Sequence, residues 1–223
     1  MSNARRCLWL LPLIATISGC LYEMTLDDKG GGVITARYRI AKRDFSEARS
    51  KMQSASVKLV SSEIVGQGDT SEGVFKMSFD DVTKLSTAPH FNTVSVTRAD
   101  GKDGTKLLTA KVRHDRPITI PENMLDRFGR EVKVVVTFPG EVSESNGTIS
   151  DGKTVTWTWG LNQFYEAKEL LLTATYQSAA AAAAKQTAAS GSPTAAAGTP
   201  TAAAKAQPTQ RAEPRGPKKP RSQ

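Results

Sequence analysis

A thiol is the first group in this chain placed to do chemistry. Cys20 follows Arg5 and Arg6, an apolar run over residues 7–17, and the small residues Ser18 and Gly19. A run of that length is too short to hold ~30 Å of hydrocarbon as a permanent span, and with basic residues before it the pattern is that of a secretory leader. Ser18 and Gly19 let the backbone lie extended in a peptidase cleft, and the thiol beyond them can accept an acyl chain. The expectation is a signal segment over 1–19 and lipidation of Cys20, which becomes the first residue of the mature chain. One acyl chain holds a protein only reversibly, since each buried methylene contributes about 0.8 kcal/mol, whereas two or three chains anchor it for good.

Other chemistry has little to work with. The two histidines are His90 and His114, and His114-Asp115-Arg116 are adjacent in sequence, so on a strand their side chains alternate faces and cannot form an oriented triad. GxSxG, HExxH and Walker patterns are absent. The acidic pairs Asp27/Asp28 and Asp80/Asp81 fall at turns and read as caps or solvated groups. No catalytic residue, cofactor or metal site is therefore expected. Cys7 leaves with the leader and Cys20 is consumed by lipid, which also excludes a disulfide and a cysteine metal site.

Binding has a better case. Phe138, Trp157, Trp159, Phe164 and Tyr165 concentrate aromatic side chains in a chain with few of them. Trp and Tyr join an apolar body to a polar edge, which suits acyl chains and sugar rings alike. These five are the candidate ligand-binding residues; core packing between sheet and helix is the competing reading of Trp157 and Trp159.

Elements must position these groups, and alternation supplies most of them. Residues 21–27 and 33–40 alternate on either side of Asp27-Asp28-Lys29-Gly30-Gly31-Gly32, a hairpin with one apolar face. Asp44 followed by Glu47 resembles a capping box, and Phe45, Ala48, Met52, Ala55 and Leu59 form one helical stripe running to about Val60. Residues 66–73 read as a loop, 74–79 as a strand, and 80–85 as a single helical turn capped by Asp80 or Asp81. A second hairpin flanks Asp100-Gly101-Lys102-Asp103-Gly104. Pro117 and Pro121 bracket an extended segment, and 123–128 reads as a short helix ended by Gly129. The strongest strand is 131–138, with Val132, Val134, Val136 and Phe138 on one face. Its antiparallel partner is 153–159, and a last strand covers 170–176, with a helix into the alanine tract as the alternative.

Between the two strongest strands lie Phe138-Pro139-Gly140-Glu141-Val142, Asn146-Gly147-Thr148 and Val155-Thr156-Trp157. Pro139 fixes φ and Gly140 permits a positive φ, so the strand leaves its ladder there, and Asn146-Gly147 turns the chain back. This stretch resembles the LppM-type lipoprotein domain, whose members carry a similar FPG, V, NG and V-x-W signature after a valine-rich strand. Ile17-Ser18-Gly19-Cys20 likewise resembles the lipobox of bacterial lipoproteins. The resemblance implies an α+β envelope domain behind an acylated cysteine, and in the mycobacterial member an ability to bind a phosphoinositide-mannoside glycolipid. In proteins with this lipobox, Asp after the cysteine favours the inner membrane, so Leu21 points to the outer membrane where the host has two.

Charge separates the chain into parts. The formal net charge is +8, yet residues 20–178 carry 21 Lys plus Arg and 21 Asp plus Glu, while 179–223 carry seven bases against Glu213. A nucleic-acid-binding domain shows its bases on the fold itself, so no nucleic-acid partner is expected. From Ala179 the chain is Ala, Thr, Pro, Gly, Ser, Gln and Lys with no large apolar residue, so it cannot bury a core. The expected organisation is a signal peptide over 1–19, an α+β domain over 20–177 and a disordered basic tail over 178–223. Its fold class is an antiparallel sheet with one main amphipathic helix packed on it. The expected partners are the membrane through the lipid anchor, a lipid or glycolipid ligand, and an anionic cell-wall or lipopolysaccharide surface met by the tail.

Overall fold

The structure is a computed structural model and describes residues 19–66 and 70–181. The signal peptide and nearly all of the basic tail lie outside the described residues. Eleven strands form two sheets among these residues. The larger contains β1 (Gly19–Leu26), β2 (Gly32–Ala41), β3 (Val57–Val65), β4 (Thr70–Phe79), β7 (Glu131–Thr137), β9 (Thr148–Ser150) and β10 (Thr154–Gly160), in the order β3-β4-β2-β1-β7-β10-β9. The smaller contains β5 (Val94–Asp100), β6 (Thr105–Arg113), β8 (Val142–Ser145) and β11 (Glu169–Gln177), in the order β5-β6-β11-β8. Three short helices, α1 (Phe45–Lys51), α2 (Glu122–Phe128) and α3 (Leu161–Glu166), and four 3-10 segments, the longest at Val82–Thr87, complete the described residues.

Both expected hairpins form. β1 pairs with β2 through Tyr22↔Ala36 and Met24↔Ile34, and β5 pairs with β6 through Val96↔Ala110. The two strongest strands are antiparallel partners with Trp157 opposite Val134. Residues 169–177 are a strand and not a helix. A parallel ladder departs from the expected antiparallel sheet: β1 and β7 run parallel, Tyr22 opposite Val134 and Met24 opposite Val136. The apolar positions of that ladder, Tyr22, Met24, Val134 and Val136, fall on one face because side chains on a strand alternate.

The single long helix is corrected. Helix α1 stops at Lys51, and Val57 to Val65 is a strand paired with β4. Ser54 breaks the helix, its hydroxyl accepting from the backbone N–H of Ser56 and of Val57 at 3.2 Å each, a local alternative to helical bonding that Ser adopts readily. Beyond it Val57 and Leu59 point inward as strand neighbours, so the spacing of 7 between Met52 and Leu59 spans a helix end and a strand. The capping box does not form either: Asp44 already has helical angles (φ −90°, ψ −5°) and its side chain caps nothing, while Glu47 bonds Lys51 at 2.6 Å. The domain is thus two sheets with small helices at their margins. The core lies between the sheets, where Phe75 is fully buried and stacks between Tyr38 and Phe45 at centroid distances of 5.5 and 5.2 Å.

Candidate functional site

The two sheets do not fill the space between them. A cavity of about 370 Å³ opens there. Its walls come from Met24 and Ile34 of the β1–β2 hairpin, Val134 and Val136 of β7, and Leu108 and Ala110 of β6, with Trp157 on the floor. Beyond the rung of Met24 and Val136 the interior is solid: Leu26, Phe79, Phe138 and Tyr176 are all buried, and Phe138 meets Tyr176 at 4.7 Å between ring centroids. The opposite end is where polar groups gather, namely His90, Asn92, Thr93, His114 and Tyr165.

Hydrogen bonds hold that polar end. The Tyr22 hydroxyl lies 3.3 Å from His90 Nε2, and the His90 ring stacks on Tyr38 at 5.6 Å with an angle of 9°. Burial, followed by the charge of Lys51, pushes the His90 pKa down to about 4, so the ring is neutral at ordinary pH. Burial raises the Tyr22 hydroxyl well above its usual value. His114 Nδ1 donates to the carbonyl of Ala167 at 2.9 Å, and its ring packs edge-on against Phe164 at 5.1 Å. A second apolar cluster closes over this end: Leu125 of α2, Val132 of β7 and Leu161 of α3 are buried together, with Cys20, Phe164 and Tyr165 packed against them. Asn162 ties α3 to the preceding extended segment, accepting from Ile120 N at 2.7 Å and donating to Ile120 O at 3.1 Å.

The five aromatic candidates divide. Trp157, Phe164 and Tyr165 line the cavity. Trp159 is half-buried beside them, 5.8 Å from the Phe164 ring. Phe138 is not at the cavity wall and belongs to the solid end. Cys20, the expected lipidation site, is half-buried in β1, and burial pushes its thiol up to about 11. Sequence reasoning missed the other walls, since Met24, Ile34, Leu108 and Ala110 look like any core positions until the two sheets are placed. Both histidines sit at the polar end, 24 residues apart in the chain. Among the described residues no three His, Cys, Asp or Glu side chains gather at metal-binding distance, and no helix is long and apolar enough to cross a membrane. An apolar cleft with a few polar groups at one end suits an amphiphile of modest size.

The family model described as the LppM domain matches residues 31–177. The chain belongs to the LppM domain family. Among solved structures it is similar to the folded domain of LppM from Mycobacterium tuberculosis, determined by NMR, at 14% identity over 71% of this chain and 88% of that one, with a TM-score of 0.44. No curated protein matches it. Membership gives the coarse class, a lipoprotein-type, membrane-associated envelope protein. The matched stretch begins after β1, so Cys20, Tyr22 and Met24 lie outside it.

In this LppM domain the signature stretch is the mounting of Trp157. Asn146 Oδ1 accepts from Trp157 Nε1 at 2.8 Å and from Thr173 N at 2.8 Å, and its Nδ2 donates to Leu171 O at 2.7 Å. The asparagine thereby links β10 to β11 across the gap between the sheets. At Gly147 a Cβ would stand 2.8 Å from the Trp157 indole, so only glycine lets the ring lie there. Gly140 is needed for a different reason from the expected positive φ: its backbone passes so close to Gln177 that a Cβ would overlap the Gln177 carbonyl oxygen.

Proposed function

We propose that this protein is an envelope lipoprotein, acylated at Cys20, whose domain binds a lipid or glycolipid by taking an apolar chain between its two sheets. The observation that carries this is the cavity of about 370 Å³, walled by aliphatic and aromatic side chains and bordered at one end by His90, Asn92, Thr93, His114 and Tyr165. At ~30 Å³ for a group the size of a water molecule or a methylene, that volume takes one chain on the order of a dozen carbons. The polar end offers hydrogen bonds to a headgroup or an ester. Three of the five aromatic candidates lie on this wall, which supports their reading as ligand contacts.

Native mass spectrometry tests the reading on residues 20–223 made without the leader and carrying Cys20→Ser, which leaves no acyl anchor, after incubation with a total envelope lipid extract. The expected result is a one-to-one non-covalent lipid adduct that is lost in Cys20→Ser combined with Ala110→Trp, since the indole fills the cavity from β6. A folded Cys20→Ser chain that stays free of lipid, or an adduct untouched by the added indole, overturns it.

A further inference from the structure

On the reading just given, Cys20 is acylated, and the fold then constrains where that acyl chain can go. Cys20, Tyr22 and Met24 alternate with Leu21, Glu23 and Thr25 along β1, so the three share the face that looks toward the smaller sheet. Their partners across the parallel ladder are Val132, Val134 and Val136 in turn. Tyr22, Met24, Val134 and Val136 line the cavity. Cys20 and Val132 are the next rung toward its polar end, packed with Phe164 and Tyr165, which also line it. At about 3.3 Å per residue the cavity wall continues for some 13 Å along β1 below the cysteine.

Direction matters as much as distance. A substituent on a side chain that points away from the sandwich would run straight to a bilayer. The Cys20 side chain points the other way, and its strand is held by β2 on one side and by β7 on the other. A chain leaving its sulfur therefore emerges inside the molecule, beneath the cluster formed by α2 and α3, with the apolar cavity ahead of it. We infer that one acyl chain of the protein's own Cys20 anchor occupies the cavity between the two sheets. The volume suits one chain and not two, so the other chains of the anchor stay available to the membrane. A free lipid must then compete with the anchor for the same space.

The test uses the full acylated chain made in cells fed ¹³C-labelled fatty acid and studied by ¹³C-edited NMR in detergent. The expected result is cross-relaxation from acyl methylenes to the side chains of Met24, Ile34 and Leu108, lost on Ala110→Trp. Acyl methylenes that see detergent alone overturn the inference. A dansyl-labelled undecanoic acid separates this from the proposed function: it should bind the Cys20→Ser chain at least tenfold more tightly than the acylated chain. Equal affinities overturn self-occupancy and leave the lipid-binding reading standing. Failure of a folded Cys20→Ser chain to bind the probe counts against the lipid-binding reading, and the NMR result, which needs no variant at Cys20, still decides the inference.

Discussion

Asn146 shows how much a single exposed side chain can hold. Its Oδ1 serves two donors, Trp157 Nε1 and Thr173 N, and its Nδ2 serves one acceptor, so three bonds rest on one amide. Asn146→Ala leaves the indole N–H of a nearly buried tryptophan without its partner. A buried donor left unsatisfied costs about 1–3 kcal/mol, and urea unfolding should show a loss in that range with a red-shifted tryptophan emission. His90 sets a pH dependence in the same way. Its folded pKa of about 4 lies below its ordinary value of 6.5 because burial disfavours the charged ring. The unfolded chain therefore binds a proton that the folded one refuses throughout that window. The stabilisation is fully present above pH 6.5 and is lost as pH falls toward 4, by up to about 3 kcal/mol. The measurement is a difference: stability from pH 7 to 4 for the wild type and for His90→Gln, the variant being less steep.

At the scale of elements, what the sequence reveals is whatever repeats locally. The β1–β2 and β5–β6 hairpins could be read because period-two alternation and Asp/Gly turns lie within one short stretch, and α2 because Gly129, at φ 96°, ends it. The stripe from Phe45 to Leu59 misled because spacings of 3 and 4 continued by accident through Ser54, where hydroxyl bonds to the backbone had already ended the helix. β8 and β9 were invisible for another reason: four and three residues around a turn carry too little pattern, and β8 is a strand only because β11 is there to pair with it. The parallel β1–β7 ladder joins segments more than a hundred residues apart and leaves no local trace. Of the cavity, the aromatic wall could be seen beforehand and the aliphatic wall could not. At Gly140 tertiary contact, not turn chemistry, decides the residue. Gly140→Ala should destabilise by about 1–3 kcal/mol, because the clash is with backbone that cannot rotate away. Hydrogen exchange should then rise at the Gln177 end of β11. An effect no larger than that of a surface substitution would mean that this crossing is looser than drawn.

Across the whole molecule the interior has two halves that answer the same change oppositely. At one end of the sandwich, Phe79, Phe138 and Tyr176 are all nearly or fully buried, and removing volume there opens a void that the neighbours cannot close. Phe138→Ala, which removes a ring packed on Tyr176, should cost about 3–5 kcal/mol. At the other end the void is already present, and the walls at Ala110 and Val134 are held apart by the ladders of their own sheets rather than by contact with each other. Adding volume there gives dispersion contacts where atoms had no partner, so Ala110→Leu should raise stability by about 0.5–2 kcal/mol, as cavity-filling changes commonly do. A site for an apolar chain predicts that this gain is matched by a loss. Ala110→Leu on the Cys20→Ser chain should weaken binding of dansyl-undecanoic acid several-fold while raising the urea midpoint, and Phe138→Ala, at the solid end, should lower the midpoint with binding unchanged wherever the protein remains folded. Were both substitutions destabilising by similar amounts, the region around Ala110 would be packed as tightly as that around Phe138, and the space between the sheets would have no room for a chain.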